Sequence, residues 1–380
     1  MAFNFIKVTQ SNDIKKFHEL PFRIYAGNKY WRPTLRSEIE KIFNPAQNIF
    51  FDQGECERFL VYDDKNVVAR FAVMNNRERD ILYDPKMGGI GFIEMENDQN
   101  LTNEIIDFAK EWHLKRGYHA MRGPINFGEN DTYWGLLVEN YENPPVYGMF
   151  YHHPYYKKRI ESTGAEKFED HYSFDRDLYA PFPDKIERIS ERLLDRDYIQ
   201  FRELDKKNLM KDANYIRQIY NQAWRDQDIA EREGEFTELS IETVQKMAKD
   251  LKPVLLDGSS YLTFVNGEPA SFIVTLADIN ELLVKTHGRI RLWHLPKLLR
   301  FKKTVSRIRI IAYGTVPKFR KLGLEALVFY KGVMGVRENN PSLKRLEGAW
   351  ISEKNWLMQR SVEALGCSHH KTHRTYQWLF

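Results

Sequence analysis

The stretch VSRIRIIAYGTVPKFRKLGLEALVFYK, Val305 to Lys331, decides the fold. Its first part sets Ile308, Ile310 and Ala312 against Arg307, Arg309 and Ile311, the two-residue period of a strand rich in β-branched side chains. Pro317 cannot donate to a sheet ladder, so the strand should end near Val316. Beyond Gly323, residues Leu324, Leu327, Val328 and Lys331 recur at helical spacing. A strand therefore feeds a basic turn, and the turn opens a helix. Helix starts carry unpaired N–H groups and the positive end of the macrodipole, which suits a phosphate or pyrophosphate, and Arg320 and Lys321 add charge.

This pattern resembles the cofactor loop of the GNAT superfamily of acyl-CoA N-acyltransferases, Val-x-Pro-x-x-Arg-x-x-Gly-x-Gly/Ala. Val316, Pro317, Arg320 and Gly323 match it, and Glu325 stands where the last small residue belongs. A carboxylate there is unfavourable beside a pyrophosphate, and an ordinary basic strand-to-helix turn is the competing reading. The resemblance implies an α/β fold, a mixed central sheet flanked by helices. It also implies acyl-CoA or acetyl-CoA as acyl donor, held by Tyr313, Gly314, Thr315, Val316, Arg320, Lys321, Leu322, Gly323 and Leu324, with Asn355 ahead of the next helix.

Going outward, 380 residues with 42% hydrophobic and 14% aromatic side chains predict two globular domains. The net charge of +4, from 57 basic and 53 acidic residues, gives no overall nucleic-acid-binding character. Cys56 and Cys367 are too few for a disulfide framework. The first residues lack a signal-peptide pattern and no apolar run is long enough to span a bilayer, so a cytoplasmic protein is expected.

The first half predicts a strand over Phe5–Val8, a helix from a Ser11 or Asn12 cap to Tyr25, and a helix over Leu35–Phe43. A hairpin of Arg58–Tyr62 and Val67–Met74 follows, then a strand over Gly89–Met95, a helix over Leu101–Arg116, a strand over His119–Gly123 and a helix over Pro154–Thr163. A linker at Asp177–Asp184 leads to a second half of the same plan, with Asn266-Gly267 as its hairpin turn and a terminal strand ending at Phe380. Ile160–Gly164 answers Val362–Gly366 at corresponding helix ends. A tandem repeat of GNAT-like domains is expected, residues 1–178 and 179–380, resembling tandem bacterial proteins of the ceramide-synthase-like N-acyltransferase type. The first half carries Glu96-Asn97-Asp98-Gln99-Asn100 where the second has its loop, so a single cofactor site is expected, in the second domain.

Acyl transfer to an amine needs an unprotonated amine, a donor for the oxyanion and a proton for the departing thiolate. The resemblance implies that backbone N–H groups of Tyr313–Val316 supply the donor, with Glu347 or Glu353 as base and Tyr376 as acid. The Gly-, Pro- and aromatic-rich run from Arg122 to Tyr156 offers Asn126, Asn130 and Tyr156 to a substrate, or serves as a packing loop. Asp278 and Asn280 precede Gly288–Lys303, which carries Arg289, Arg291, Lys297, Arg300, Lys302 and Lys303 beside Leu292, Trp293, Leu298 and Phe301. Such a basic amphipathic segment reads as an interfacial helix giving peripheral contact with a membrane, or as a lid. Cys367, His369, His370 and His373 lack a second ligand pair, and no metal site is expected. The expected partner is a small-molecule or lipid-like amine acceptor. A non-catalytic GNAT-like scaffold and an aminoacyl-tRNA-dependent transferase are the competing functions.

Overall fold

A computed structural model describes residues 3–130, 132–225 and 238–380. The chain divides into two compact units. Unit 1 is Met1–His171 with Leu283–Leu292 and Lys371–Phe380; unit 2 is Tyr172–Leu282 with Trp293–His370.

In unit 1, strand β1 (Asn4–Lys7) precedes helices α1 (Ser11–Ile24) and α2 (Arg36–Ile42). Helix α1 includes Ser11 and Asn12, the expected caps; its cap is Gln10, whose side chain makes no capping bond. Strands β2 (Gly54–Asp63) and β3 (Asn66–Asn76) form a hairpin over a turn in which Asp64 has φ 51°. Strand β4 (Met87–Met95) leads through Glu96–Asp98 into α3 (Gln99–Leu114), then to β5 (Ala120–Gly123), the short β6 (Leu136–Leu137) and α4 (Tyr155–Glu161). Leu101, Ile105, Ala109 and Trp112 form the apolar stripe of α3 and pack with Phe59, Phe71, Val73 and Ile90 from the strands. Each fully buried side chain of this kind stabilises by roughly 1.5–3 kcal/mol. β4 and β5 are parallel, from Met87↔Ala120 to Gly89↔Arg122. The far side of β5 takes the end of the last strand, β13 (Ser368–Leu379), antiparallel from Tyr376↔Gly123 to Leu379↔Ala120. The strand order is β1-β2-β3-β4-β5-β13.

Unit 2 begins within β7 (Glu166–Asp177). Helix α5 (Asp184–Leu194), strand β8 (Ile199–Glu203) and helices α6 (Leu209–Trp224) and α7 (Ile241–Leu251) follow. The hairpin of β9 (Tyr261–Val265) and β10 (Glu268–Ala277) turns at Asn266 (φ 51°) and Gly267 (φ 79°), the paired left-handed residues that a two-residue hairpin loop requires. The segment before the central strand forms α8 (Asn280–Thr286), a loop, and α9 (Leu295–Thr304), which has Pro296 in its first turn and covers the C-terminal part of the basic amphipathic run Gly288–Lys303. The loop belongs to unit 1, where the Gly288 carbonyl accepts from the Arg36 N–H at 2.9 Å. Lys297, Arg300 and Lys303 of α9 are exposed and Phe301 is buried. The central strand β11 (Arg307–Thr315) runs through a 3-10 turn, Pro317–Leu322, into α10 (Leu324–Asn339); β12 (Arg345–Ser352) and α11 (Trp356–Ala364) complete the unit. Its strand order is β7-β12-β11-β10-β9-β8. Among the described residues no helix is long and apolar enough to cross a membrane.

Candidate active site

The central strand of unit 2 changes partners along its length. β11 and β12 are parallel and paired from Arg307↔Arg345 to Ile310↔Gly348. Beyond Ile310, among the described residues, β11 pairs with β10, as far as Ser271↔Thr315, past a bulge that leaves Ile311 unmatched between Ala312 and Ile310. β12 meanwhile continues to Ser352. Two parallel strands part at Gly348, and strand edges that leave a ladder present unpaired backbone N–H and C=O groups. Gly314 is required here for a steric reason: a Cβ would lie 2.7 Å from the Trp224 ring at the end of α6. The Thr315 hydroxyl donates to Ser271 Oγ at 2.8 Å, which itself donates to the Gly314 carbonyl at 3.1 Å.

At the end of β11, Gly323 adopts the left-handed conformation (φ 84°) and serves as the N-cap of α10, with no side chain capping the helix. Leu324 and Leu327 anchor the first turn in a core with Leu193, Ile199 and Val265. The basic turn lies alongside: Lys321 is exposed, and Arg320 Nη2 donates to the Ala223 carbonyl at 3.1 Å, at the C-terminal end of α6 where a cation is favoured. Burial pushes the Glu325 carboxyl above the ordinary carboxylate range, against its own N–H, the Thr315 hydroxyl and Arg320. Burial likewise pushes the Tyr313 hydroxyl well up, with Glu325 adding to the effect.

Near the point where the strands part lies a buried ionic cluster. Glu347, 3% exposed, sits one residue before Gly348, with Arg307 Nη1 and His370 Nε2 each 3.8 Å from its Oε2. Arg307 also holds Asp278 Oδ2, through Nη2 at 2.7 Å and Nε at 3.1 Å. Burial opposes the Arg307 charge, but Asp278 and Glu347 outweigh it and its pKa is held above the ordinary value. His370 Nδ1 lies 3.7 Å from Asp175, which also pairs with Arg345. A carboxylate, an imidazole and a guanidinium thus converge on the strand junction.

No family model matches the chain. Over its whole length the chain superimposes on the tandem GNAT protein of the clavulanic acid biosynthesis pathway, with TM-score 0.58 at 10% identity, covering 98% of that chain. This is the tandem GNAT fold. A GCN5-related N-acetyltransferase from Sphaerobacter thermophilus shares it at TM-score 0.50 and 11% identity, with 99% of this chain and 95% of that chain covered. Among curated proteins, the chain is 28% identical over 377 residues to the bacterial ceramide synthase of Caulobacter vibrioides, spanning 98% of this chain and 96% of the relative. It is 23% identical over 378 residues to protein YghO of Escherichia coli, spanning 96% and 93%.

Within the tandem GNAT fold the sequence-predicted residues fall into separate groups. Tyr313, Gly314, Thr315, Val316, Arg320, Lys321, Leu322, Gly323 and Leu324 form the strand end, turn and helix start. Asn355 is buried as the N-cap of α11, its Oδ1 accepting from the Met358 N–H at 3.1 Å. Glu353 follows β12, and its carbonyl accepts from Gln359. Asp278 joins the ionic cluster, and its Oδ1 accepts from the Asn280 N–H at 3.2 Å. The remaining residues belong to unit 1. Tyr376 is buried there and donates to Glu161 at 3.1 Å; Tyr156 is buried with its hydroxyl on Glu94; Asn126 is buried and Asn130 half-buried. Sequence reasoning passed over Arg307 and His370 as site residues. Their signal was faint: a basic residue opening an apolar strand, and a histidine already set aside as a metal ligand.

Proposed function

We propose that unit 2 is an acyl-CoA-dependent N-acyltransferase that passes an acyl group from a thioester to a lipid-like amine. The observation that carries this is the uncapped start of α10 at Gly323, reached from a strand that parts from its parallel neighbour at Gly348. The residues fit the anionic part of such a donor. Gly323 places no side chain over the start of α10, Arg320 and Lys321 lie in the turn before it, and the Glu325 carboxyl, raised by burial, gives up its proton less readily than an ordinary carboxyl. The donor supplies an activated carbonyl and a thiolate leaving group. The free edge of β11 offers backbone N–H groups to the carbonyl oxygen as it gains charge. Glu347, backed by His370, takes the proton of the attacking amine and passes it toward Asp175 and solvent. The relative named bacterial ceramide synthase supports a lipid-like acceptor, and the exposed Lys297, Arg300 and Lys303 of α9 support peripheral contact with anionic lipid.

Glu325 also favours a second reading, a non-catalytic scaffold, because a half-buried acid stands where a small residue would leave room for phosphate. Calorimetric titration with CoA, acetyl-CoA and palmitoyl-CoA separates the two. A bound thioester whose affinity falls sharply in Arg320→Glu supports transfer; no binding at millimolar concentration leaves the scaffold. For a base at Glu347, Glu347→Gln lowers kcat by about 100-fold with KM little changed. An unchanged kcat removes Glu347 from the chemistry.

A further inference from the structure

The sheet of unit 2 has a window in it. Ile310, Ile311 and Ala312, in the middle of β11, are half-buried, although Ile308 and Arg309 before them and Tyr313 to Thr315 after them are buried. The same holds on β12, where Gly348 to Ile351 are half-buried between the buried Glu347 and Ser352. Both stretches begin where the two strands part, and neither strand is at the edge of the sheet. Apolar side chains in the parallel interior of a flanked sheet are ordinarily covered on both faces.

The register tells which face the window serves. Phe272, Val274 and Leu276 of β10 pack under α6 with Leu209 and Ile219. Arg309 pairs with Leu276 and shares its face, and Arg307, two residues away, does the same. Glu347, 3.8 Å from Arg307 Nη1, therefore lies on the α6 face. Ile311 and Ala312 pack against the same cluster, together with Ile216 and Tyr220 of α6. Tyr220 stacks on Trp224, ring centroids 4.3 Å apart, and Trp224 reaches over Gly314. Ile216, Tyr220 and Trp224 recur at every fourth position and are each half-buried. They form one apolar stripe of roughly 12 Å along the helix. The base and the stripe thus share one face of the sheet, and the stripe runs on from the junction.

Resting on the acyl-transfer reading above, we propose that the acceptor is a long-chain alkyl amine whose hydrocarbon lies on Ile216, Tyr220, Ile311 and Ala312, on the α6 face of the window. The occupant is the acceptor's chain and not the donor's, because the stripe shares its face with the group that must reach the amine.

Thiol release from acetyl-CoA by the full chain is followed with butylamine, hexylamine and octylamine, whose amino groups ionise alike. The kcat/KM rises about tenfold for each added pair of methylenes. In the double variant Ile216→Ala, Tyr220→Ala, with circular dichroism confirming the fold, butylamine reacts within about twofold of the native rate and the gain per pair drops below about threefold. Should that variant not fold, Ile216→Ala alone is measured, and its gain from butylamine to octylamine is at least about threefold smaller than the native one. Replacing acetyl-CoA by octanoyl-CoA, with butylamine as acceptor, changes kcat/KM by the same factor in variant and native chains. No thiol release with any amine defeats the acyl-transfer reading and this inference with it. Thiol release that ignores the amine's length, or a native gain kept in the variants, overturns this inference alone. So does a variant that loses its response to the donor's chain instead, which gives the stripe to the acyl group.

Discussion

The two units carry the same crossover, a strand parallel to its neighbour for a few residues and then a turn into a helix, but they finish it in opposite ways. In unit 1, β4 enters α3 through Asp98, whose carboxylate caps the helix by accepting from the Leu101 N–H at 2.9 Å. In unit 2, β11 enters α10 through Gly323, with no side-chain cap. The first helix start is capped by the residue before it; at the second, the only carboxyl among the described residues is that of Glu325, inside the first turn and on its own N–H. The acids move accordingly. Unit 1 buries its acid inside the strand, at Glu94, whereas unit 2 holds one in the helix's first turn, at Glu325. The two copies of the crossover thus differ in the residue at the helix start, an aspartate in one and a glycine in the other.

The largest effect is expected from making the second crossover like the first. Gly323→Asp puts a carboxylate at the start of α10 where Gly323 has none, at a left-handed position that Asp tolerates better than most residues. CoA affinity by calorimetry should then fall by about 100-fold or more, and unchanged affinity would detach the helix start from cofactor binding.

The next contrast lies in Glu94, whose carboxyl burial pushes up to about 7 from the ordinary 4.5. Between those values the native state binds more protons than the unfolded chain. Unfolding free energy therefore falls as pH rises from about 4.5 to 7 and levels off above it. Glu94→Gln should remove that slope, a change on the order of 2 kcal/mol in denaturant titrations compared across the window. An identical slope in the variant would mean that Glu94 ionises in the native state much as it does when unfolded.

For Glu325 the expected change is smaller. Its raised carboxyl is neutralised as pH falls, so CoA should bind more tightly toward acidic pH. Glu325→Gln should flatten that trend and bind about tenfold more tightly at pH 8. A pH trend that persists in the variant would point to a different titrating group. The smallest effect is Asp98→Ala, costing about 1 kcal/mol of stability while leaving CoA binding as it was.

How far the sequence foretold this depends on whether the signal was local. The strand, turn and helix around Gly323 were legible because β-branched alternation, Pro317 and a left-handed glycine each act over a few residues. The hairpin at Asn266-Gly267 was legible for the same reason. The ionic cluster was not, because Asp175, Asp278, Arg307, Glu347 and His370 come from five separate stretches that meet only through the sheet. Nor was the place of Tyr376, whose spacing says strand but cannot say which unit receives it. Glu94 carried a readable hint, a lone acid within the apolar run Ile90–Met95, and only the fold reveals the two phenols beneath it.

The strand that borders β5 is made long after β5 itself. Ribosomes deliver roughly 5–20 residues per second, and about 250 residues separate Gly123 from its partner Tyr376. The edge of β5 therefore waits on the order of ten to fifty seconds of synthesis before its neighbour exists. During that interval the nascent first unit carries an open template for any other extended chain, including an identical one on the next ribosome. Crowded polysomes and C-terminal truncation should for that reason trouble the first half of the protein more than the second.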